Sequence, residues 1–109
     1  MLSKTLLDEM NNQIREELYS AYLYLAMAAH FEEANWPGFA SWMAKQAAEE
    51  QEHAMKFYSY IHDRGGKVTL QAIAQPPASF GKPAEIFEQV LQHEQKVTAR
   101  INLLYSIAV

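Results

Sequence analysis

Ala48-Glu49-Glu50-Gln51-Glu52-His53 lies inside a longer run in which Phe39, Met43, Gln46, Glu50, His53, Phe57 and Tyr60 recur at spacings of four and three. That alternation marks a helix that turns one stripe toward its neighbours. Glu50 and His53 fall on the stripe itself, so a carboxylate and an imidazole three residues apart head into a core. Upstream, Met10, Ile14, Glu17, Ala21, Tyr24, Ala28 and Phe31 repeat the pattern, and downstream Phe87, Val90, Glu94, Val97, Ile101, Leu104 and Ala108 repeat it again. The only charged members of these two stripes, Glu17 and Glu94, each sit near the middle. The fold class is therefore all-α, a bundle of three long helices. An unpartnered buried carboxylate is very costly, so three helices that each carry an acid at mid-length call for a shared counterion, and a metal ion is the natural one.

The punctuation between the stripes sets the topology. Ser3 can cap a first helix that continues to about Glu33, and Asn35-Trp36-Pro37-Gly38 breaks it. Pro37 suits the first turn of a second helix running to about Arg64, where Gly65-Gly66 offers left-handed backbone for a C-terminal cap. The short turn makes these two helices antiparallel. From Gly65 to Lys82 no helical pattern appears, and the stretch contains Gly65, Gly66, Pro76, Pro77 and Gly81. Extended at ~3.3 Å per residue it could span roughly 59 Å, more than the ~42 Å of a 28-residue helix. It can return along the whole bundle, pinned by Val68, Leu70 and Ile73, and so make the third helix, from Pro83 to the last residue, parallel to the second.

Composition removes other classes. With 109 residues, half of them hydrophobic, and only four Gly and four Pro, the chain is one compact domain spanning 1–109 rather than a disordered segment. No apolar run approaches the ~20 residues of a membrane span, and Met1-Leu2-Ser3-Lys4-Thr5 lacks the blocks of a secretory signal, so a cytoplasmic protein without a membrane partner is expected. The absence of cysteine removes disulfides, zinc ribbons and iron–sulfur clusters, leaving Glu, His, Asp and water to hold any metal. A net charge of -4 argues against a nucleic-acid surface and favours cations. Three carboxylates with one imidazole suit iron better than zinc or copper.

Around these residues the sequence resembles a known family. Glu16-Glu17-Leu18-Tyr19-Ser20-Ala21-Tyr22-Leu23-Tyr24, Glu49-Glu50-Gln51-Glu52-His53-Ala54 and His93-Glu94-Gln95 look like the first three helices of a bacterial non-haem ferritin, and the likeness covers the whole chain, crossover included. The resemblance implies a ferritin-like bundle and a non-haem di-iron (Fe) site. In it Glu17, Glu50 and His53 hold one iron, and Glu50 bridges to a second held also by Glu94. It further implies that Tyr24 stands beside the centre and takes part in the chemistry, and that Glu49 serves a neighbouring third iron site. The implied activity is ferroxidase and iron storage: Fe(II) is oxidised by dioxygen or peroxide and kept as mineral in a homo-oligomeric shell of 24 subunits. Gln51 stands where bacterioferritins carry a haem-ligating Met, so no haem is expected.

The resemblance also implies a fourth helix that supplies a further Glu to the second iron, and the sequence stops before it. Leu103-Leu104-Tyr105-Ser106-Ile107-Ala108-Val109 carries no Gly, Pro or cation of the kind that closes a helix. The expectation is a ferritin-like domain truncated before its fourth helix. The alternative to a storing subunit is thus a truncated or engineered fragment that binds metal, self-associates and turns over poorly. His30, His62 and His93 are expected at the surface or at helix ends, Glu16 and Glu52 on solvated faces. Trp36, Phe39 and Trp42 are expected to pack at the start of the second helix, with Trp36 available for a subunit contact.

Overall fold

The computed structural model describes residues 2–108. They form three helices and, among the described residues, no strand: α1, Lys4–Glu33; α2, Pro37–Asp63; and α3, Pro83–Ala108. Val109, to which the sequence reading extended the third helix, lies outside the described residues.

Each boundary has a local cause. The Ser3 hydroxyl accepts from the Leu6 amide at 3.2 Å and caps α1. At the other end Asn35 adopts φ 64°, and the Asn35 and Trp36 amides donate back to Glu32 O and Phe31 O at 3.1 and 2.8 Å. Gly65 and Gly66 close α2 in the same way, donating to His62 O at 3.1 Å and Ile61 O at 2.9 Å, with Gly65 at φ 75°. Both ends are the paired-bond cap that a left-handed residue makes possible, and Asn tolerates it nearly as Gly does. Pro37 opens α2, where its missing N–H has no helical partner to lose.

Side-chain contacts fix the directions. Phe87, near the start of α3, packs on Phe31 at the end of α1 with ring centroids 5.8 Å apart. Arg100, near the end of α3, reaches Gln13 and Glu9 near the start of α1. The third helix therefore runs antiparallel to α1 and parallel to α2, as the long connection allowed. That connection is tied along α1 mainly by polar contacts. Asn11 donates to Lys67 O at 3.1 Å and accepts from the Thr69 amide at 2.8 Å, and Gln71 bonds both Arg15 and Asn12. Of the three apolar anchors expected, only Val68 packs against the core. Leu70 and Ile73 are exposed, at 67% and 39%, with Ile73 at the edge of an open groove that it shares with Leu18, Tyr22 and Leu25. Phe80 is the other buried anchor, beside His30.

α1 is the central element. It packs along α2 and against α3, while the α2 and α3 backbones do not approach each other. Large side chains bridge that gap at one end, where Phe39 and Trp42 reach Phe87 at centroid distances of 5.1 and 5.7 Å. Two apolar clusters result. One gathers Leu23, Met27, Phe31, Ala40, Met43 and Ile86; the other gathers Met10, Ile14, Ala54, Ile61 and Leu104. Between them lies a buried polar layer of Gln13, Glu17, Ser20 and Glu50.

The expected stripe of α1 is buried except at Ala21 and is widened by a second buried line, while that of α2 is rotated. On α1 the residues Gln13, Glu17, Ser20, Tyr24, Met27 and Phe31 are each 0% exposed, whereas Ala21 of the expected stripe is half-buried. On α2 the buried line is Ala40, Met43, Ala47, Glu50, Ala54 and Ile61, and the expected Phe39, His53 and Tyr60 are exposed. Phe39 and His53 nevertheless reach α1 from its edge, at Phe31 and Glu17.

Candidate metal centre

The polar layer interrupts the apolar packing where α1 and α2 face each other at mid-length. Glu17 and Glu50 approach from opposite helices, and His53 sits one turn after Glu50. One ligand atom from each of the three lies within 4.8 Å of the others. His53 Nδ1 stands 3.4 Å from Glu50 Oε2 and 3.8 Å from Glu17 Oε2. The imidazole thus faces the carboxylates through Nδ1 while 48% of its side chain stays exposed.

The electrostatics of this layer are unusual for a protein interior. Glu17 Oε2 and Glu50 Oε2 are both buried and neither has a hydrogen-bond donor. Two facing carboxylate oxygens that lack a donor attract a shared proton or a cation. Burial, then the adjacent Glu17 carboxyl, then the charge of Glu94 push the Glu50 carboxyl up to about 9. A shift in that direction favours the neutral carboxylic acid, and a cation drawn into this layer would stand where that proton is held. Two carboxylates and one imidazole nitrogen fit the donor set that iron accepts.

Glu94 stands on the other side of Glu50. It is half-buried on α3 and accepts a hydrogen bond from the Tyr24 hydroxyl at its Oε1. Tyr24 is wholly buried, and burial followed by the Glu94 contact holds its hydroxyl well above the usual phenol range. Tyr24 is consequently a fixed donor rather than a base. Glu94 shares no three-residue cluster with Glu17 and His53; it acts on Glu50. Glu49 is exposed on α2 and is not part of the Glu17, Glu50 and His53 group.

One expectation is overturned and two groups were missed. His93 is half-buried rather than at the surface. Its Nε2 lies 2.7 Å from Ser20 Oγ, and its ring packs against Tyr19 and edge-on to Tyr24 at 5.9 and 5.7 Å. Burial holds its imidazole below the usual histidine range. Ser20 and Gln13, both 0% exposed, belong to the same layer. Their signal was available: Gln13, Ser20 and Met27 repeat at seven residues beside Glu17, Tyr24 and Phe31, a second stripe that an inner helix needs because it faces two partners. His62 is exposed as expected, and His30 bonds Gly81 O at 2.9 Å.

The comparisons agree with this architecture. A family model described as a ferritin-like domain matches residues 7–109. The bacterial non-heme ferritin of Staphylococcus aureus (strain USA300) is 41% identical over 108 residues, which cover 99% of this chain and 65% of that protein. That of Bacteroides fragilis (strain 638R) is 41% identical over 99% of this chain and 68% of the relative. Among solved structures, the open-pore ferritin of the hyperthermophilic archaeon Archaeoglobus fulgidus superposes with a TM-score of 0.97 at 42% identity, covering 99% of this chain and 67% of that one. Its engineered closed form gives 0.96 at 42% identity, over 99% of this chain and 66% of that one. The chain spans 65% of the length of the Staphylococcus aureus relatives it matches. By the family model over residues 7–109 and by these relatives, the chain belongs to the ferritin-like family.

Proposed function

We propose that this chain is an iron-storing ferritin subunit that binds Fe(II) in the cytoplasm, oxidises it to Fe(III) with dioxygen or peroxide, and keeps the product as mineral inside a homo-oligomeric shell. One observation carries the reading. The buried oxygens Glu17 Oε2 and Glu50 Oε2, which no donor satisfies, converge with His53 Nδ1 in the middle of a ferritin-like bundle.

In this reading Fe(II) is the substrate. Glu17, Glu50 and His53 hold the first ion, with the exposed side of His53 as the entry. Glu50 turns its other side toward Glu94, and these two begin a second position whose remaining ligands come from outside the three helices. Two neighbouring Fe(II) ions together supply the two electrons that reduce dioxygen to peroxide. Tyr24 holds Glu94 in place, and Glu49 takes ions at a site of its own beyond the pair.

Anaerobic Fe(II) titration followed by admission of oxygen tests the assignment. Glu50→Ala is expected to impair both positions, and Glu94→Ala to spare the first; equal loss in the two variants rejects it. Light scattering on the oxidised sample tests storage. Large particles holding mineral support the shell, while small oligomers that bind iron without mineral support the self-associating, poorly turning-over alternative. The cleft between α2 and α3, lined by Phe57, Tyr60, Ile101 and Leu104, is the apolar surface such oligomers would bury.

A further inference from the structure

Arg100 and Gln13 form a relay that reaches Glu17 from the third helix. The Arg100 Nε donates to Gln13 Oε1 at 3.2 Å, and Gln13 Nε2 donates to Glu17 Oε1 at 3.0 Å. Gln13 and Glu17 are both 0% exposed, so water does not stand in for either partner. The orientation of the amide follows from the chemistry at its two ends. A guanidinium only donates, so the carbonyl oxygen of Gln13 must face Arg100, which leaves its NH2 to face Glu17. A flipped amide would set donor against donor at the Arg100 end.

The consequence falls on the two oxygens of Glu17. Oε1 is occupied by Gln13, and Oε2, the one nearest His53, is left without a donor. We infer that Gln13, its amide orientation set by Arg100, is a positioning residue that sorts the Glu17 oxygens and presents Oε2 alone to the metal as a single-oxygen ligand. The inference rests on the proposed metal reading of this layer and adds to it residues that touch no metal. Glu9, 3.4 Å from Arg100 Nη2, anchors the outer end of the guanidinium at the surface. Groups that orient metal ligands in this manner commonly change affinity 10- to 100-fold when removed.

Co(II) titration of the full chain, read by dissociation constant and by d–d absorption, separates this role from a merely structural one. Gln13→Leu is expected to weaken Co(II) binding about 10-fold and to change the band, because the freed Glu17 Oε1 can join the metal. Arg100→Leu is expected to weaken binding in the wild-type background and to add nothing in the Gln13→Leu background, the non-additivity of groups acting in series. Arg100→Lys keeps a donor for the same carbonyl and should restore affinity to within about 2-fold. Arg15→Leu removes a comparable bond to a glutamine, at 2.6 Å to Gln71 on the crossover side, and should leave Co(II) binding unchanged. Should Gln13→Leu fold poorly by circular dichroism, the Arg100 pair still decides. An unchanged constant and band in Arg100→Leu and Gln13→Leu, or an equal effect of Arg100→Leu with and without Gln13, overturns the relay and leaves the metal site standing. Failure of the wild-type chain to bind Co(II) in a Glu17- and His53-dependent way overturns the metal reading and the relay together.

Discussion

Glu50 is where burial, charge and chemistry meet most sharply. Its carboxyl is raised to about 9 in the folded chain against an ordinary value of 4.5, first by burial and next by Glu17. Between those values the folded state holds a proton that the unfolded chain has lost, so stability falls as pH rises through this window. His93 acts in the opposite sense, because its lowered value makes stability rise with pH until the unfolded imidazole is neutral near 6.5. The clean window is therefore pH 6.5 to 9. In thermal unfolding with a chelator present, the wild-type Tm should drop across it, and Glu50→Gln should flatten the drop; an equal slope in both would reject this account. Tyr24→Phe keeps the buried ring but removes the donor to Glu94, which should cost about 1 kcal/mol in denaturant unfolding. At this scale Glu17, Glu50 and His53 were legible because charges on an apolar stripe stand out. Gln13 and Ser20 gave only a fainter signal, their seven-residue repeat with Met27, since uncharged polar residues on a helix resemble a solvated face until a second partner helix is known.

The helices themselves were readable almost to the residue, because Ser3, Asn35, Pro37, Gly65 and Pro83 are chemical stops and starts. The spacing held on α1, where only Ala21 of the expected stripe is not buried, and misjudged the rotation of α2. A heptad stripe points at the axis of a bundle, whereas the residues most deeply buried here are those that face α1, the helix touching both others. On α3 the side facing α1 widens to take in His93 and Arg100 beside Glu94, Val97 and Leu104, and leaves Ile101 exposed. The crossover was misread for a related reason: apolar anchors were expected, and amides took their place. Asn11, only 6% exposed, satisfies a carbonyl and an amide of the connection at once. Asn11→Ala leaves both unpaired, and should cost about 1–3 kcal/mol and speed proteolytic cleavage between 67 and 75. Unchanged cleavage with a lowered Tm would place the effect within α1 alone.

Across the molecule, two apolar clusters flank a layer that does not serve stability. A chain selected for packing would continue Met43 and Ala47 into Ala54 with another apolar residue, yet it places Glu50 there with an oxygen that has no donor. Replacing buried ionisable groups by well-packed apolar ones is often neutral or stabilising by about 1–4 kcal/mol. Glu50→Leu should accordingly raise the stability of the metal-free chain by an amount in that range at pH 7, and should abolish metal binding. The wild-type chain has a different route to the same stability, because a ligand that binds only the folded state adds about 2.7 kcal/mol at a hundred times its dissociation constant. Denaturant unfolding with and without Co(II) should then show two curves for wild type, separated by about that amount, and one for Glu50→Leu that lies above the metal-free wild type and does not move with Co(II). If Glu50→Leu is instead less stable than the metal-free wild type, the acid contributes to packing, and the layer is not a centre held open at the expense of the core. If the wild-type curves coincide, no cation replaces the proton that Glu50 carries.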